Sequence, residues 1–570
     1  MASLFDPIAI RGMEIPNRIV MPPMTTRLAA PDGSVTPELI QYFVARAEGG
    51  AGLITVEMCS PHPAGRHRAR ELGISDDRFV AGLRELTSRL RAAGSRVAVQ
   101  IGHAGGHTRQ DVTGHPPVAP SAVAHVVQEV DTRRVVPEEL TREGIRALVH
   151  AFAEAAARAK SAGFDAVELH GAHGYLIAQF LSPLDNHRGD EYGGHLRNRA
   201  RFALEVVEAC RTRVGDFPLV FRFSADEYAP GGFVVEEARE LACWLVEAGV
   251  DVLHVSAGCY RSLPSGAVMI PPMAYPGGVF LHLARAIKAV VRVPIIAVGR
   301  LHDPELAAMA VREGHADMVA LGRQLIADPE WPRKVREGRT DEIRPCIACN
   351  TCVDSMREGE HITCLVNPWA GREGQRRTSG VDRPRRVLVV GGGPAGMEAA
   401  RLMADRGHRV LLVERRPELG GQLRLAVRAP LFQNVETNPP VVLRFVEFLA
   451  RQLERAGVDV RLGETVTGGL IDALNPETVV LATGASYRVP LRWVLPPLLE
   501  SRWGRSRAVK ALLETPWVRR LLFSVMRKRN DRLDRHLRRS GVRVQRIGDC
   551  HRPRKTVEAM RDAAELADRF

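Results

Sequence analysis

No uninterrupted apolar run in this chain reaches the length that spans a bilayer, and the opening Met1-Ala-Ser-Leu-Phe-Asp-Pro has no basic region leading into an apolar one. A cytoplasmic protein is therefore expected. A disulfide framework is also missing: Cys59, Cys210, Cys243, Cys259 and Cys550 are scattered singly through apolar or helical stretches, where a buried reduced thiol is the ordinary state. No nucleic-acid recognition motif accompanies the formal charge of +13. Almost all of that excess is local, because 16 Lys and Arg stand against 4 Asp and Glu between Leu491 and Arg546, a net +12. With 570 residues, 45% of them hydrophobic and 25% charged, the chain has the profile of a soluble globular protein of two to four domains.

The remaining cysteines are concentrated. Cys346-Ile-Ala-Cys349-Asn-Thr-Cys352, followed by Cys364, gives the spacing C-x2-C-x2-C-x11-C. Three thiolates on one tight loop with a fourth delivered by a longer excursion suit a [4Fe-4S] cube. Four thiolates also satisfy tetrahedral zinc, although zinc ribbons usually pair two CxxC knuckles. Beyond this loop Gly391-Gly-Gly-Pro-Ala-Gly396 opens a dinucleotide motif, and a cluster beside a cofactor points to electron transfer.

From the N-terminus to about residue 335, short β-branched runs alternate with helical patterns. Eight strands are expected, over 18–24, 52–58, 96–103, 166–171, 219–225, 250–258, 293–299 and 316–322. After the seventh, Asp303-Pro304 reads as a helix N-cap with proline at the first position. Eight βα units in one run specify an α/β fold with a closed (β/α)8 TIM barrel, whose active site lies at the C-terminal mouths of the strands. Those mouths carry Gln100 and His103, His170 with His173 and Tyr175, Arg222, Gly299 with Arg300, and Gly322 with Arg323. Gln100 and Arg222 suit a flat, acceptor-rich ring, and the last two pairs suit a phosphate. Taken singly, each is as readily a satisfied polar side chain capping a strand; together they indicate a cofactor.

The order of these segments resembles the old yellow enzyme family, whose barrel binds FMN. Asn17-Arg-Ile-Val-Met-Pro-Pro-Met-Thr25 is similar to its first-strand flavin segment, Gln100-Ile-Gly-His-Ala-Gly105 to the third-strand one, and His170-Gly-Ala-His-Gly-Tyr-Leu-Ile177 to its substrate motif. Leu181-Ser-Pro-Leu-Asp-Asn-His-Arg-Gly-Asp-Glu-Tyr-Gly-Gly194 is a long and specific family string. With the cysteine loop and dinucleotide motif appended, the whole resembles the iron–sulfur branch that contains 2,4-dienoyl-CoA reductase, 2-enoate reductase and trimethylamine dehydrogenase. The resemblance implies that Pro23, Met24, Thr25 and Met58 contact FMN, that Gln100 and Arg222 bond its pyrimidine edge, and that Gly322 and Arg323 hold its phosphate, with Gly299 and Arg300 expected beside them from their place at a strand end. It further implies that His170 and His173 bind a substrate carbonyl oxygen while Tyr175 donates a proton. Histidines at i and i+3 also occur as half of a metal site, but no further ligand stands at matching spacing. After the sixth strand the chain reads Ser256-Ala-Gly-Cys-Tyr-Arg-Ser-Leu-Pro264, where dienoyl-CoA reductases carry a Trp-His pair. A simple enoate, enone or enal is the expected substrate instead.

In the second half, Arg385 to Gly396 is an apolar strand turning through glycines into a helix, and Glu414 closes the next strand. This is the βαβ arrangement that seats a pyrophosphate, with an acid on a ribose. Gly391, Gly393, Ala395, Gly396 and Glu414 are its expected cofactor contacts. Gly420-Gly-Gln422-Leu, Val480-Leu-Ala-Thr-Gly484 and Ile547-Gly-Asp549-Cys550 resemble further FAD-binding signatures, and Val466 is placed with Gln422 and Asp549 among the residues binding FAD, or ADP alone. Relatives using NAD(P)H place a second glycine-rich fold before the Gly-Asp signature. No such motif is found here, which leaves NAD(P)H use open.

The expected organisation is an FMN barrel over 1–340, a [4Fe-4S] segment over 341–383, a Rossmann-like FAD domain over 384–490, a basic helical segment over 491–540 and a return to the FAD domain over 541–570. The basic segment suits an acidic electron-carrier protein or an anionic membrane surface; it equally suits helices that cover an exposed face and point arginines at water. A homo-oligomer is expected. Three functional classes remain: a reductase of an activated C=C bond with electrons passing from FAD through [4Fe-4S] to FMN, a dehydrogenase exporting electrons to a carrier, and a non-catalytic electron-transfer scaffold.

Overall fold

Eight short parallel strands, each hydrogen-bonded to the next and the eighth to the first, close a barrel in the N-terminal half. They are β1 (Ile19–Met21), β2 (Leu53–Cys59), β3 (Arg96–Ile101), β4 (Ala166–Gly171), β5 (Leu219–Ser224), β6 (Val252–Ser256), β7 (Ile295–Ala297) and β8 (Met318–Ala320). The computed structural model describes residues 2–126, 134–261, 263–376, 379–432, 435–485, 515 and 531–570. The basic segment over 491–540 lies outside the described residues, apart from Thr515, the helix Asp531–Arg539 and Ser540.

Strands covered on both faces are largely apolar, and the polar exceptions here, among them Glu168, His170, Arg222 and His254, are buried with the rest. Accordingly every residue of β2, β4, β5 and β6 is buried. Strand β4 keeps the expected bounds and β2 the expected length, whereas the other six are shorter than the apolar runs suggested. Helix Pro304–Arg312 begins as its sequence indicates, with the Asp303 carboxylate accepting the Leu306 N–H at 3.0 Å and proline in the first turn. An antiparallel hairpin of Ile8–Ile10 and Met13–Ile15, with no counterpart in the sequence reading, precedes the barrel. Its Ile10, Met13 and Ile15 pack with Val20, Leu53, Ala98, Ala166, Val220, Val252, Ile296 and Met318, one from each of the eight strands. This hairpin supplies the floor of the barrel core, and so the opposite mouth is the one open to ligands.

The chain forms two compact units. The first is Met1–Arg376 with Pro430–Asn438, the second Arg377–Ala429 with Pro439–Phe570. The cysteine segment therefore belongs to the barrel unit. It is tied there by the Ile362 N–H to the Thr26 carbonyl at 2.9 Å, by Asn367 to the Ile326 carbonyl at 2.9 Å, and by the fully buried Arg46, which pairs with Glu373 at 2.5 Å.

The second unit is built on a parallel sheet of β9 (Arg386–Val390), β10 (Arg409–Glu414), β11 (Asp459–Leu462), β12 (Thr478–Leu481) and β13 (Arg543–Arg546), in the order β11-β10-β9-β12-β13. Helix Pro394–Asp405 follows β9, and its buried face packs against the terminal helix Thr556–Asp568. A doubly wound sheet of this kind binds its ligand beyond the C-terminal ends of the central strands.

Candidate active site

The barrel mouth holds a cavity of about 220 Å³. Its walls include Pro23, Met24 and Thr25 beyond β1, Met58 of β2, Gln100 of β3, His170 of β4 with His173 and Tyr175 after it, and Arg222 of β5. Gly299 and Arg300 follow β7 into the same space, and Gly322 and Arg323 follow β8. The structure thus brings together all the barrel residues singled out as catalytic or FMN-binding. His103 is the exception among the strand-end residues: it is buried, its Nδ1 accepts the Gly105 N–H at 3.0 Å, and it is not among the cavity walls. It closes a turn.

The polar atoms of this cavity fit a flavin. His170 Nδ1 and Arg222 Nε are buried without a protein partner, an expensive state unless a ligand supplies one. A Cβ on Gly322 would stand 2.9 Å from the Met24 sulfur, and Gly299 is held at φ +116°, where a side chain is strained. Both are close-approach positions of the kind a phosphate needs. Gln100 donates to Glu168 at 2.7 Å, and the other oxygen of Glu168 faces His254 Nδ1 at 2.8 Å. Gln100 thus lines the cavity with its amide N–H2 engaged on Glu168. Burial pushes the Glu168 carboxyl up, but His254, Arg222 and the Gln100 bond outweigh it and hold the group ionised.

Around the substrate side the rings are close-packed. His170 and His173 lie 5.2 Å apart by ring centroid, and Tyr175 stands 5.0 Å from His170. His173 adopts a left-handed backbone, φ +65°, secured by the Ser224 hydroxyl on its N–H at 3.0 Å and by Ser256 against its Nε2 at 2.8 Å. Burial, and then Arg222, hold both imidazoles well below their ordinary pKa, so they are neutral. Burial, seconded by Tyr260, keeps the Tyr175 phenol well above its own. Its hydroxyl meets His67 Nδ1 at 3.0 Å. The site is therefore one protonated phenol beside two neutral imidazoles.

Cys346 and Cys352 border the same cavity. The loop between them is tight, with Ala348 at φ +48° and Asn350 at φ +57°, and the Ala348 N–H points to the Cys346 sulfur at 3.4 Å. Burial raises Cys349 to about 11 and Cys364 to about 12, and each feels the charge of other cysteines in the set. Four mutually interacting thiols of this kind have the donor chemistry of an iron–sulfur site. Among the described residues no three His, Cys, Asp or Glu side chains converge closely enough to hold a metal ion.

In the second unit a cavity of about 850 Å³ is lined by Gly391, Gly393, Ala395, Glu414, Gln422, Val466 and Asp549. Gly396 stands behind it, and a Cβ there would fall 1.9 Å from the Gly391 carbonyl oxygen, so only glycine permits the helix to approach the strand. Glu414 accepts the Gly392 N–H at 2.6 Å and the Arg416 N–H at 2.9 Å, which fixes the carboxylate at the strand end. Nothing lies within 4 Å of a Cβ on Gly393, the N-cap, where a pyrophosphate would be received.

Several residues of the barrel site escaped the sequence reading. Glu168 shares a strand face with His170, two residues on, and alternation was a signal for it. His254, Ser256 and Tyr260 carried no such mark. His67 and Arg68 lie in the basic loop Gly65-Arg-His-Arg-Ala-Arg70 just past β2, and the basic run was their only signal.

A barrel mouth lined with polar side chains, a neutral acid–base trio and a dinucleotide fold together define an FMN-dependent oxidoreductase. The chain belongs to the NADH:flavin oxidoreductase / NADH oxidase family, whose model matches residues 3–342, and residues 386–496 match the FAD dependent oxidoreductase model. It is 46% identical over 494 residues to NADH oxidase of Thermoanaerobacter brockii, covering 86% of this chain and 74% of that protein. It is 37% identical over 517 residues to cinnamate reductase of Clostridium sporogenes, covering 85% and 74%. Among solved structures, 2-naphthoyl-CoA reductase in complex with 2-naphthoyl-CoA aligns at a TM-score of 0.88 with 26% identity, covering 100% of this chain and 99% of that one. Histamine dehydrogenase from Rhizobium aligns at 0.83 with 25% identity, covering 100% and 96%.

Proposed function

We propose that this protein reduces an activated C=C bond, in an enoate, enone or enal, at the barrel mouth. The observation that carries the reading is the protonation pattern: Tyr175 retains its proton while His170 and His173 are neutral. Neutral imidazoles polarise a carbonyl oxygen by hydrogen bonding without introducing a charge, and a protonated phenol is the form that donates to the α-carbon. When bound, FMN supplies the hydride, and FAD and a [4Fe-4S] cluster supply the electrons that restore it. Cys346, Cys349, Cys352 and Cys364 would hold the cluster. Thr25, Gln100, Arg222 and Arg323 would hold FMN; Gly393 and Asp549 would flank the dinucleotide.

The similarity to cinnamate reductase and to 2-naphthoyl-CoA reductase supports this direction. The likeness to histamine dehydrogenase favours a second reading, in which a substrate is oxidised at the same barrel mouth. The purified protein should convert trans-cinnamate or cinnamaldehyde to the saturated product under anaerobic conditions with a chemical reductant. If no unsaturated carbonyl compound is consumed and amines bleach the flavin instead, the second reading replaces the first. We also assign the basic segment around 491–546 to docking an acidic electron-carrier protein in the cytoplasm. Among the described residues no helix is long and apolar enough to cross a membrane.

A further inference from the structure

Four arginines line the barrel cavity: Arg68, Arg222, Arg300 and Arg323. Three have evident employment. Arg323 donates to Asn350 and, at 2.8 Å, to the Pro271 carbonyl; Arg300 donates to the Pro272 carbonyl at 2.8 Å; both stand at the phosphate end beyond β7 and β8. Arg222 pairs in register with His170, two residues along β4 from the ionised Glu168, whose charge supports it. Arg68 has no counterpart of this kind.

Arg68 is only 6% exposed. Its Nε donates to His67 Nδ1 at 3.2 Å, and its Nη1 is buried with no hydrogen-bond partner. The acid nearest in sequence, Glu71, is committed elsewhere: its oxygens accept the Ser60 N–H at 3.1 Å and the His67 N–H at 2.7 Å. Burial raises Glu71 to about 8, which leaves it largely protonated at neutral pH. A buried guanidinium without an anion is costly, and it is retained where an anion arrives.

The link to the reacting centre is short. A guanidinium always donates, so His67 Nδ1 carries no proton and must also accept from Tyr175. Arg68 is thereby joined to the proton donor through a single imidazole. We propose that Arg68 is the anion anchor of the substrate pocket, and that the substrate carries a carboxylate gripped by Arg68 and the His170/His173 pair, with its α-carbon presented to Tyr175. Among the three substrate types this selects the enoate, and it rests on the C=C-reducing reading only for what happens to that α-carbon. A cationic amine would meet the guanidinium as a like charge, which separates this pocket from one built for amines.

The test is binding without turnover. The flavin-loaded protein is titrated with saturated acids and their primary amides, 3-phenylpropanoate against 3-phenylpropanamide and butanoate against butanamide, by flavin absorbance and calorimetry. The acids should bind about 100-fold more tightly than the amides, the scale of a buried charge pair. Arg68→Gln should remove most of that preference, and Arg68→Lys should retain part of it, with FMN content checked in each. An acid that binds no better than its amide in the wild type, or no acid binding at all, overturns the proposal even if a variant fails to fold. Tight acid binding together with no reduction of cinnamate or crotonate would leave the anchor standing and remove the C=C-reducing reading.

Discussion

At the scale of single residues, the site depends on which groups keep their protons. Tyr175→Phe removes the donor and leaves the ring, so FMN content should be unchanged while reduction of an enone or enoate slows by about 10² or more. Unchanged turnover in a variant with full flavin would take Tyr175 out of the chemistry. The imidazoles give a second, pH-dependent test. His170 and His173 are held neutral by burial and by Arg222, with folded pKa values well below 6.5. The unfolded chain therefore binds more protons than the folded one as pH falls below about 6.5. Their contribution to stability is present above that pH and is lost on acidification. The double variant His170→Asn, His173→Asn should show a shallower fall in Tm between pH 6.5 and 5 than the wild type, and an identical or steeper fall contradicts the assignment. Much of this site was legible, since Gln100, His170, Arg222 and Arg323 announce themselves at the ends of apolar runs. Glu168, His254 and Arg68 did not, because their significance lies in partners, or a lack of partners, far away in the chain.

At the scale of elements, strand identity was readable because a barrel strand covered on both faces reads as a near-continuous apolar run, as in Leu219–Ser224 with Arg222 as its one charge. Strand length was readable for Ala166–Gly171 but not for Ile19–Met21 or Ile295–Ala297, where backbone pairing stops before Pro22-Pro23 and Gly299. The floor hairpin was missed because two three-residue strands around Arg11-Gly12 leave too little alternation to register. Two glycine- and cysteine-dependent elements can be tested separately. Cys349→Ser should lose iron and acid-labile sulfide, expected at about four of each per chain for a cubane, while the barrel keeps FMN. Retention of the full iron and sulfide content would refute a cluster in this loop. Gly396→Val places carbon against the Gly391 carbonyl, an overpacking that costs about 1–3 kcal/mol. It should empty the dinucleotide site and leave FMN in place; normal FAD content would show that the helix does not need this approach.

At the scale of the whole molecule, the net +12 between Leu491 and Arg546 is the most uneven feature of the chain. If it receives an acidic carrier, reduction by a flavodoxin or ferredoxin should weaken steeply with salt, because exposed charges are screened within about 8 Å at physiological ionic strength. Neutralising Arg527, Lys528, Arg529 and Arg532 should slow that reduction and leave reduction by dithionite unaffected. Rapid, salt-independent reduction by NADH or NADPH alone would argue for a pyridine-nucleotide donor instead. The direction of the chemistry is decided by a single-turnover experiment. Enzyme reduced anaerobically is mixed in a stopped-flow instrument with trans-cinnamate or crotonate, and the flavin spectrum and the product are followed together. Flavin reoxidation at the rate of saturated-acid formation, slowed by about 10² in Tyr175→Phe, is the predicted result. A flavin that stays reduced in the presence of every unsaturated carbonyl compound, while the oxidised enzyme is reduced by an amine, would contradict it.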